Sequence, residues 1–290
     1  MSSFGVLPPW IALDPLLRGW LLEDIGRGDR TTQVLVNKEG TASWVAKAPG
    51  VIAGLPIAAR VFHLLNEKVS FRPVVPEGER LDRGQIVAQI DGSLDALLMG
   101  ERVALNIVMR LSGIATLTRK YTEIIADLPT KLVDTRKTTP GLRLLEKYAT
   151  TIGGAINHRM GLDDAVMIKD NHIAAAGGIA KAISQIRDRI PYPLTLEVET
   201  ENIEQVEEAL RHGADIIMLD NMPVDSMRQA VAIIRQHGNR VKIEASGNIT
   251  LETIRTVAQT GVDYISTSAP ITQSPWLDLS MKISSSPTTS

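Results

Sequence analysis

The sequence predicts an α/β protein: a C-terminal β/α barrel of about six or seven parallel strands, preceded by an N-terminal α+β half-barrel domain. Three observations carry this expectation. From Lys131 onward, short apolar runs alternate with amphipathic stretches, the pattern of parallel strands covered by helices. Each run ends in polar or charged residues, as strands do where βα loops build the working face of a barrel. Ahead of them lie shorter strands, a turn-rich link and helices of 3.6-residue period. The expected division is 1–112 for the first domain, 113–273 for the barrel, and 274–290 for a C-terminal segment with a disordered tail from Ser284.

In the first part, Asp14-Pro15 followed by Leu16, Leu17, Trp20 and Leu21 reads as a capped helix that stops near Gly26. Thr41 to Ala48 alternates like a strand, and Gly54 to Asn66 has helical spacing with Ile57, Val61, Leu64 and Leu65 on one face. Two short strands, Lys68–Val75 and Gln85–Ile90, flank a link from Pro76 to Gly84. The link resembles the hammerhead hairpin of lipoyl domains, but no lysine lies between Phe71 and Glu101 to serve as a swinging arm. A long helical stretch from Leu94 to about Ile125 follows, with a break expected at Ser112-Gly113.

The barrel strands are expected at Lys131–Asp134, Ala165–Lys169, Leu194–Glu199, Ile216–Asp220, Val241–Ser246 and Tyr264–Ser266. The clearest helices between them are Gly178–Ile190, Asn202–His212, Val224–His237 and Leu251–Gln259. No G-x-G-x-x-G follows any of these strands, which argues against an open dinucleotide-binding sheet.

Composition excludes several chemistries. The formal net charge of −2 offers no overall attraction to nucleic acid or to an anionic membrane. The chain has no cysteine, so disulfides and thiolate chemistry are absent. Met1-Ser2-Ser3-Phe4 lacks a basic region before an apolar stretch, and no apolar run spans a bilayer, so a cytoplasmic protein is expected.

The strand ends carry the chemistry. They read Asp134-Thr135-Arg136-Lys137, Lys169-Asp170-Asn171-His172, Glu197 with Glu199, Asp220-Asn221, Glu244 with Ser246-Gly247-Asn248, and Ser266-Thr267-Ser268. A charge directly after an apolar run costs several kcal/mol, roughly, unless a partner or ligand compensates it. Arg136, Lys137, Arg159 and Lys169, helped by His158, can form a cationic pocket. Glu199 and Asp220 are hard oxygen ligands on neighbouring strands, suited to Mg²⁺. Ser246-Gly247-Asn248 precedes a helix opening with Thr250, and Gly247 gives a phosphate close approach to backbone N–H groups. Thr267-Ser268-Ala269 repeats this at the next loop. Together they imply two anionic substrates, one of them phosphorylated.

The run Asp134-Thr135-Arg136-Lys137-Thr138-Thr139-Pro140-Gly141-Leu142-Arg143 closely resembles the signature of the quinolinate phosphoribosyltransferase family. Asn157 to Leu162, Ile168 to His172, Glu197 to Glu199, Met218 to Asn221 and Glu244 to Ile249 continue the likeness in order. In the front section it extends over Thr31-Thr32, Glu101 to Asn106 and Leu111 to Thr116. There are two departures: Gly153-Gly154-Ala155 stands where three glycines are usual, and Thr267-Ser268-Ala269-Pro270 replaces a small-residue run.

The resemblance implies Mg²⁺-dependent phosphoribosyl transfer from phosphoribosyl pyrophosphate to quinolinate, with decarboxylation to nicotinate mononucleotide. It implies quinolinate binding by Arg136, His158, Arg159 and Lys169, with Arg102 donated across a homodimer, or a hexamer, whose subunits share sites. Lys137 and a metal near Glu199 and Asp220 would face the pyrophosphate. On the residues alone, the helical neighbours Asn106 and Arg110 favour a solvated face for Arg102, and it is the resemblance that turns it toward the substrate. A phosphoribosyltransferase for another anionic acceptor, such as the molybdenum-transport-associated relatives, is one alternative. A Schiff-base aldolase acting through Lys169 and a non-catalytic metabolite-binding barrel are the others.

Overall fold

The computed structural model describes residues 6–35, 38–238 and 240–284. In chain order the elements begin α1 (Trp10–Ile25), β1 (Glu39–Ala46), β2 (Gly50–Val51), α2 (Leu55–Leu65), β3 (Ser70–Pro73), β4 (Arg80–Leu81), β5 (Ile86–Ser93) and α3 (Leu94–Ile124). They continue β6 (Lys131–Val133), α4 (Arg143–Ile152), β7 (Val166–Ile168), α5 (Asp170–Ala176), α6 (Ile179–Arg187), β8 (Leu196–Thr200), α7 (Ile203–Arg211) and β9 (Ile216–Asp220). The last are α8 (Val224–Gln236), β10 (Lys242–Ser246), α9 (Ile254–Ala258), β11 (Tyr264–Ser266), α10 (Ala269–Thr272) and β12 (Leu279–Ser284).

Two compact units emerge. One is Met1–Arg119 with Leu144–Gly153 and Gln273–Ser290; the other is Lys120–Arg143 with Gly154–Thr272. This differs from a division made along the chain at 112 and 273, because long-range pairing recruits later segments. Strand β12 pairs antiparallel with β1 from Thr41↔Ser284 to Ala46↔Leu279, so the C-terminal segment belongs to the first sheet. Ser284 ends that strand, and the expected disordered tail otherwise lies outside the described residues. Helix α4 joins the first unit through Arg110, whose guanidinium donates to Glu146 Oε1 and to Ser274 Oγ.

The first unit is an antiparallel sheet in the order β12-β1-β5-β3. Trp44 and Phe62 are fully buried, and Phe71 stands edge-on to Trp44 with ring centroids 5.4 Å apart. Helix α2 runs between Gly54 and Asn66 as its spacing predicts, with Ile57 and Val61 completely covered. Helix α1 begins a turn earlier than Asp14-Pro15, at Trp10, and encloses Pro15. Asp14 is not its cap: the carboxylate takes the Arg60 guanidinium instead. The expected break in α3 is absent. Gly113 is required by packing, since a Cβ there would lie 2.0 Å from the Pro275 carbonyl oxygen. Ser112 Oγ accepts the Ala53 N–H at 2.9 Å, which ties the helix to the strand side without interrupting it.

The second unit is a parallel sheet in the order β6-β11-β10-β9-β8-β7, joined through helices as in a β/α barrel. Among the described residues no ladder closes β6 onto β7; Ile156 adds one parallel rung beside Val133 on the free edge of β6. The strands fall where their apolar runs place them, because each buries an aliphatic face under helices. Ile168, Val198, Ile217, Leu219, Ile243, Ala245 and Ile265 are all fully covered. Asn202 caps α7 by accepting the Gln205 N–H at 3.0 Å. At the triple-glycine position, Gly154 needs φ +103 while Ala155 has no such demand and is 8% exposed, so the methyl is accommodated. No described helix is long and apolar enough to cross a membrane.

Candidate active site

A strand alternates its side chains between two faces, and here the two faces differ in chemistry. Opposite the aliphatic residues just named stand Met167, Glu199, Met218, Asp220, Glu244, Ser246 and Ser266, which line one cavity of about 730 Å³ at the strand ends. The cavity is built entirely from the second unit.

One side of it is cationic. Arg136, Lys137, Arg159 and Lys169 all reach the lining. The Arg136 Nε is buried and has no hydrogen-bond partner. An orphaned guanidinium donor is costly in a protein interior and is satisfied by an incoming anion. Arg159 is held by the Ala165 carbonyl at 3.0 Å, and burial, then the charge of Arg136, lowers its pKa. Lys169 forms an ion pair with Glu199. Its ammonium therefore has a charged partner, unlike the desolvated lysine that a Schiff base requires.

Behind the cations lies an acidic cluster. Asp134, 3% exposed, accepts Asn157 Nδ2 at 2.6 Å and the His158 N–H at 2.9 Å, which fixes the loop carrying His158 and Arg159 to the end of β6. His158 Nε2 lies 3.1 Å from Glu197 and 3.5 Å from Glu244, while Nδ1 accepts the Arg159 N–H at 2.7 Å. That backbone bond makes Nε2 the protonated nitrogen of the neutral ring, donating to Glu197. Donor atoms of His158, Glu197 and Glu244 lie within 4.8 Å of one another, close enough for a metal. A metal on Nε2 would push the proton to Nδ1, against the Arg159 N–H, so the tautomer favours a shared proton here. Burial and the neighbouring Glu197 push the Glu244 carboxyl up to about 8, against the pull of His158.

The remaining rim is polar and tightly turned. Asn221 and Asn248 both adopt positive φ, at 53° and 52°. Asn221 donates from Nδ2 to Asp220 at 2.8 Å and accepts from Asn248 Nδ2 at 3.0 Å. The helix expected to open at Thr250 starts instead at Ile254. Thr250 and Thr253 exchange backbone-to-hydroxyl bonds of 2.9 and 3.3 Å, which hold an intervening turn. At the next loop, Thr267 Oγ1 accepts the Ala269 N–H at 3.2 Å.

Of the residues singled out in the sequence, the cavity gathers Thr135, Arg136, Lys137, His158, Arg159, Lys169, Glu199, Asp220, Ser246, Gly247, Asn248, Thr267 and Ser268. Ala269 is buried and does not line it. Arg102 lies in the first unit, 61% exposed at its side chain and 4.0 Å from Glu101. Asp134, Asn221, Glu244 and Ser266, strand-end residues to which the sequence assigns no individual role, also line the cavity. The two-residue period from Glu199 back to Glu197, and from Ser246 back to Glu244, was the signal that pointed inward.

Comparison with known proteins shows what the whole chain is similar to. The family model described as quinolinate phosphoribosyl transferase, C-terminal domain, matches residues 114–282, and its N-terminal counterpart matches residues 29–112. A Synechocystis protein named probable nicotinate-nucleotide pyrophosphorylase (carboxylating) is 60% identical over 278 residues, 96% of this chain and 94% of that protein. A Bacillus subtilis protein of the same name is 45% identical over 274 residues, 94% of each chain. The crystal structure of NadC from Streptococcus pyogenes superposes with a TM-score of 0.92 at 42% identity, covering 97% of this chain and 99% of that one. The nicotinate-nucleotide pyrophosphorylase structure from Francisella tularensis gives 0.91 at 36% identity, covering 98% and 99%. With matching family models over both its parts and relatives this similar along nearly its full length, the chain belongs to the quinolinate phosphoribosyltransferase family.

Proposed function

We propose that this chain transfers the phosphoribosyl group of phosphoribosyl pyrophosphate to the ring nitrogen of quinolinate. Carbon dioxide and pyrophosphate leave, and nicotinate mononucleotide remains for NAD biosynthesis. The observation that carries the reading is the cavity wall of Arg136, Arg159 and Lys169, with a buried guanidinium donor left unpaired. A planar dianion such as quinolinate supplies the missing acceptors, and arginine forks grip carboxylates bidentately.

His158 has both ring nitrogens engaged by protein, so its part is to hold the loop bearing Arg159 against the substrate. Lys137 faces the pyrophosphate, and Ser246 to Asn248 with Thr267 and Ser268 cradle the phosphates. Glu199 and Asp220, carboxylates on adjacent strands, are the oxygen donors that fit Mg²⁺. Bound there, the ion would offset the negative charge of the leaving pyrophosphate. Glu199 also stabilises the positive charge that develops on the ribose as the bond to pyrophosphate weakens. Ribosylation makes the ring nitrogen cationic. The electron pair of the bond to the adjacent carboxylate then passes to the ring, carbon dioxide departs, and a proton takes its place.

Loss of quinolinate absorbance with phosphoribosyl pyrophosphate and Mg²⁺ tests the reading. No turnover, with turnover of another anionic acceptor instead, would overturn it in favour of a paralogous transferase. We place the reaction in the cytoplasm and assign the chain to a homodimer, or a hexamer of such dimers, without nucleic-acid or membrane partners.

In that assembly Arg102 completes the neighbouring subunit's site. Mixing Arg102→Ala with Lys169→Ala chains should restore about a quarter of wild-type activity. About half of the randomly exchanged dimers are mixed, and each carries one intact site. No recovery, with exchange verified by native mass spectrometry, would exclude the shared site.

A further inference from the structure

Asn221 follows Asp220 directly, and its backbone N–H donates to the Ser246 carbonyl at 2.9 Å, one residue past the end of the β9-β10 ladder. The chain then turns through φ +53. A left-handed residue with a Cβ is uncommon and costs on the order of 1 kcal/mol, asparagine being among the few that tolerate it. The turn throws the side-chain amide back over the strand ends. Its Nδ2 donates to Asp220 Oδ2 and its Oδ1 accepts from Asn248 Nδ2. This is the only sense in which the amide fits, because the reverse would set its oxygen against a carboxylate.

Gly247 is shaped by the same amide. A Cβ at Gly247 would lie 2.1 Å from Asn221 Oδ1 and 3.0 Å from the Asn221 nitrogen. The glycine that the sequence reads as room for a phosphate is therefore also room for Asn221. The second positive-φ residue, Asn248, presents the other half of the bond. Two unfavourable backbone conformations and one obligatory glycine thus converge on a single side chain.

We propose that Asn221 is a positioning residue: its amide fixes the Asp220 carboxylate to the Ser246–Asn248 loop and so sets the affinity for the phosphoribosyl donor. This rests on the reading above, in which Asp220 and that loop serve the pyrophosphate end of the donor. The amide orients one Asp220 oxygen and leaves the other available, and it holds the loop's N–H groups at a fixed distance from that carboxylate. The amide bonds to Asp220 and Asn248, not to Arg136 or Arg159, the residues that grip quinolinate.

Two variants separate the amide from the backbone. Asn221→Gly removes the amide and relieves the positive φ; Asn221→Ala removes it and keeps the strain. Calorimetry with pyrophosphate and Mg²⁺ should show both variants binding about tenfold more weakly or worse, the consequence of one or two lost hydrogen bonds. The KM for phosphoribosyl pyrophosphate should rise in parallel, while the quinolinate dissociation constant stays within about twofold. Only the alanine variant should melt at a clearly lower temperature. A glycine variant that binds pyrophosphate like wild type would overturn the proposal, because the position would then serve the turn alone. Equal losses for quinolinate and pyrophosphate would overturn it too, as a general disturbance of the site. If wild-type protein does not turn over the two substrates, the functional reading itself falls, and with it this inference.

Discussion

All three phenylalanines and all four tryptophans of the chain lie outside residues 120–272, the span holding the whole parallel sheet. The antiparallel unit closes its core with Trp44, Phe62 and Phe71 in mutual ring contact. It does bury charge, but Glu146 receives Arg110 inside the same unit. The parallel unit packs aliphatic residues under its helices and turns its other face to Glu197, Glu199, Asp220 and Glu244. There Glu197 and Glu244 each keep a buried oxygen without a hydrogen-bond partner. The antiparallel unit also leaves Trp44 Nε1, Asp95 Oδ1 and Ser280 Oγ without partners. What sets the parallel unit apart is that its pair of unpartnered carboxylate oxygens, on Glu197 and Glu244, is clustered around His158, where a proton can be shared. Stability and chemistry are thus invested in different places, as expected where a working site departs from the rules that stabilise a core.

The comparison breaks if a change in the apolar core acts mainly on binding. Trp44→Ala should destabilise the protein by about 3–5 kcal/mol, the usual loss for a fully buried large aromatic. Urea denaturation measures this, and the folded fraction should retain its quinolinate affinity within about twofold. Arg159→Ala tests the opposite region. Removing a charge-assisted hydrogen bond should cost roughly 1.5–3 kcal/mol of binding, or one to two decades in quinolinate affinity, with little change in the denaturation midpoint. Unchanged affinity by calorimetry would show that Arg159 only braces the Ala165 carbonyl.

Glu244 sharpens the contrast through pH. Its carboxyl titrates near 8 in the folded chain against about 4.5 when free. Folding therefore binds a proton between these values, and the stability this group contributes is full at low pH and lost as pH rises toward 8. The wild-type melting temperature should fall more steeply from pH 6 to 9 than that of Glu244→Gln, which carries no titrating group there. Parallel curves would mean that the cluster bears no shared proton. The smallest effect belongs to an exposed residue of the parallel unit away from its cavity. Asn202→Ala removes the cap of α7 and should cost about 1 kcal/mol, leaving the kinetics unchanged in a steady-state assay.

Much of this was legible in the residues. Parallel strands buried under helices must be apolar runs, and their carboxyl ends must converge, so Arg136, Lys169, Glu199 and Asp220 could be gathered into one site before any coordinates. What misled was local. Ser112-Gly113 has the look of a helix break because glycine and serine are poor helix formers. Yet the glycine answers to Pro275, far along the chain, and α3 runs through. Asp14 has the look of a cap because it precedes a proline, but Arg60 claims it.

The sequence by itself determined the periodicities, the order of strands and helices, and the chemical types brought to the strand ends, since these depend on neighbours a few residues apart. Only the tertiary structure decided the partners. Lys169 is paired with Glu199, His158 is locked between Arg159 and two carboxylates, Gly247 makes room for Asn221, and β12 completes the sheet begun by β1. Apart from the bond between the neighbours His158 and Arg159, each of these joins residues far apart in the chain that the fold brings together. A hydrogen bond or an ion pair depends on ångström distances and on which donors and acceptors are already taken, and neither is written in the spacing of a chain.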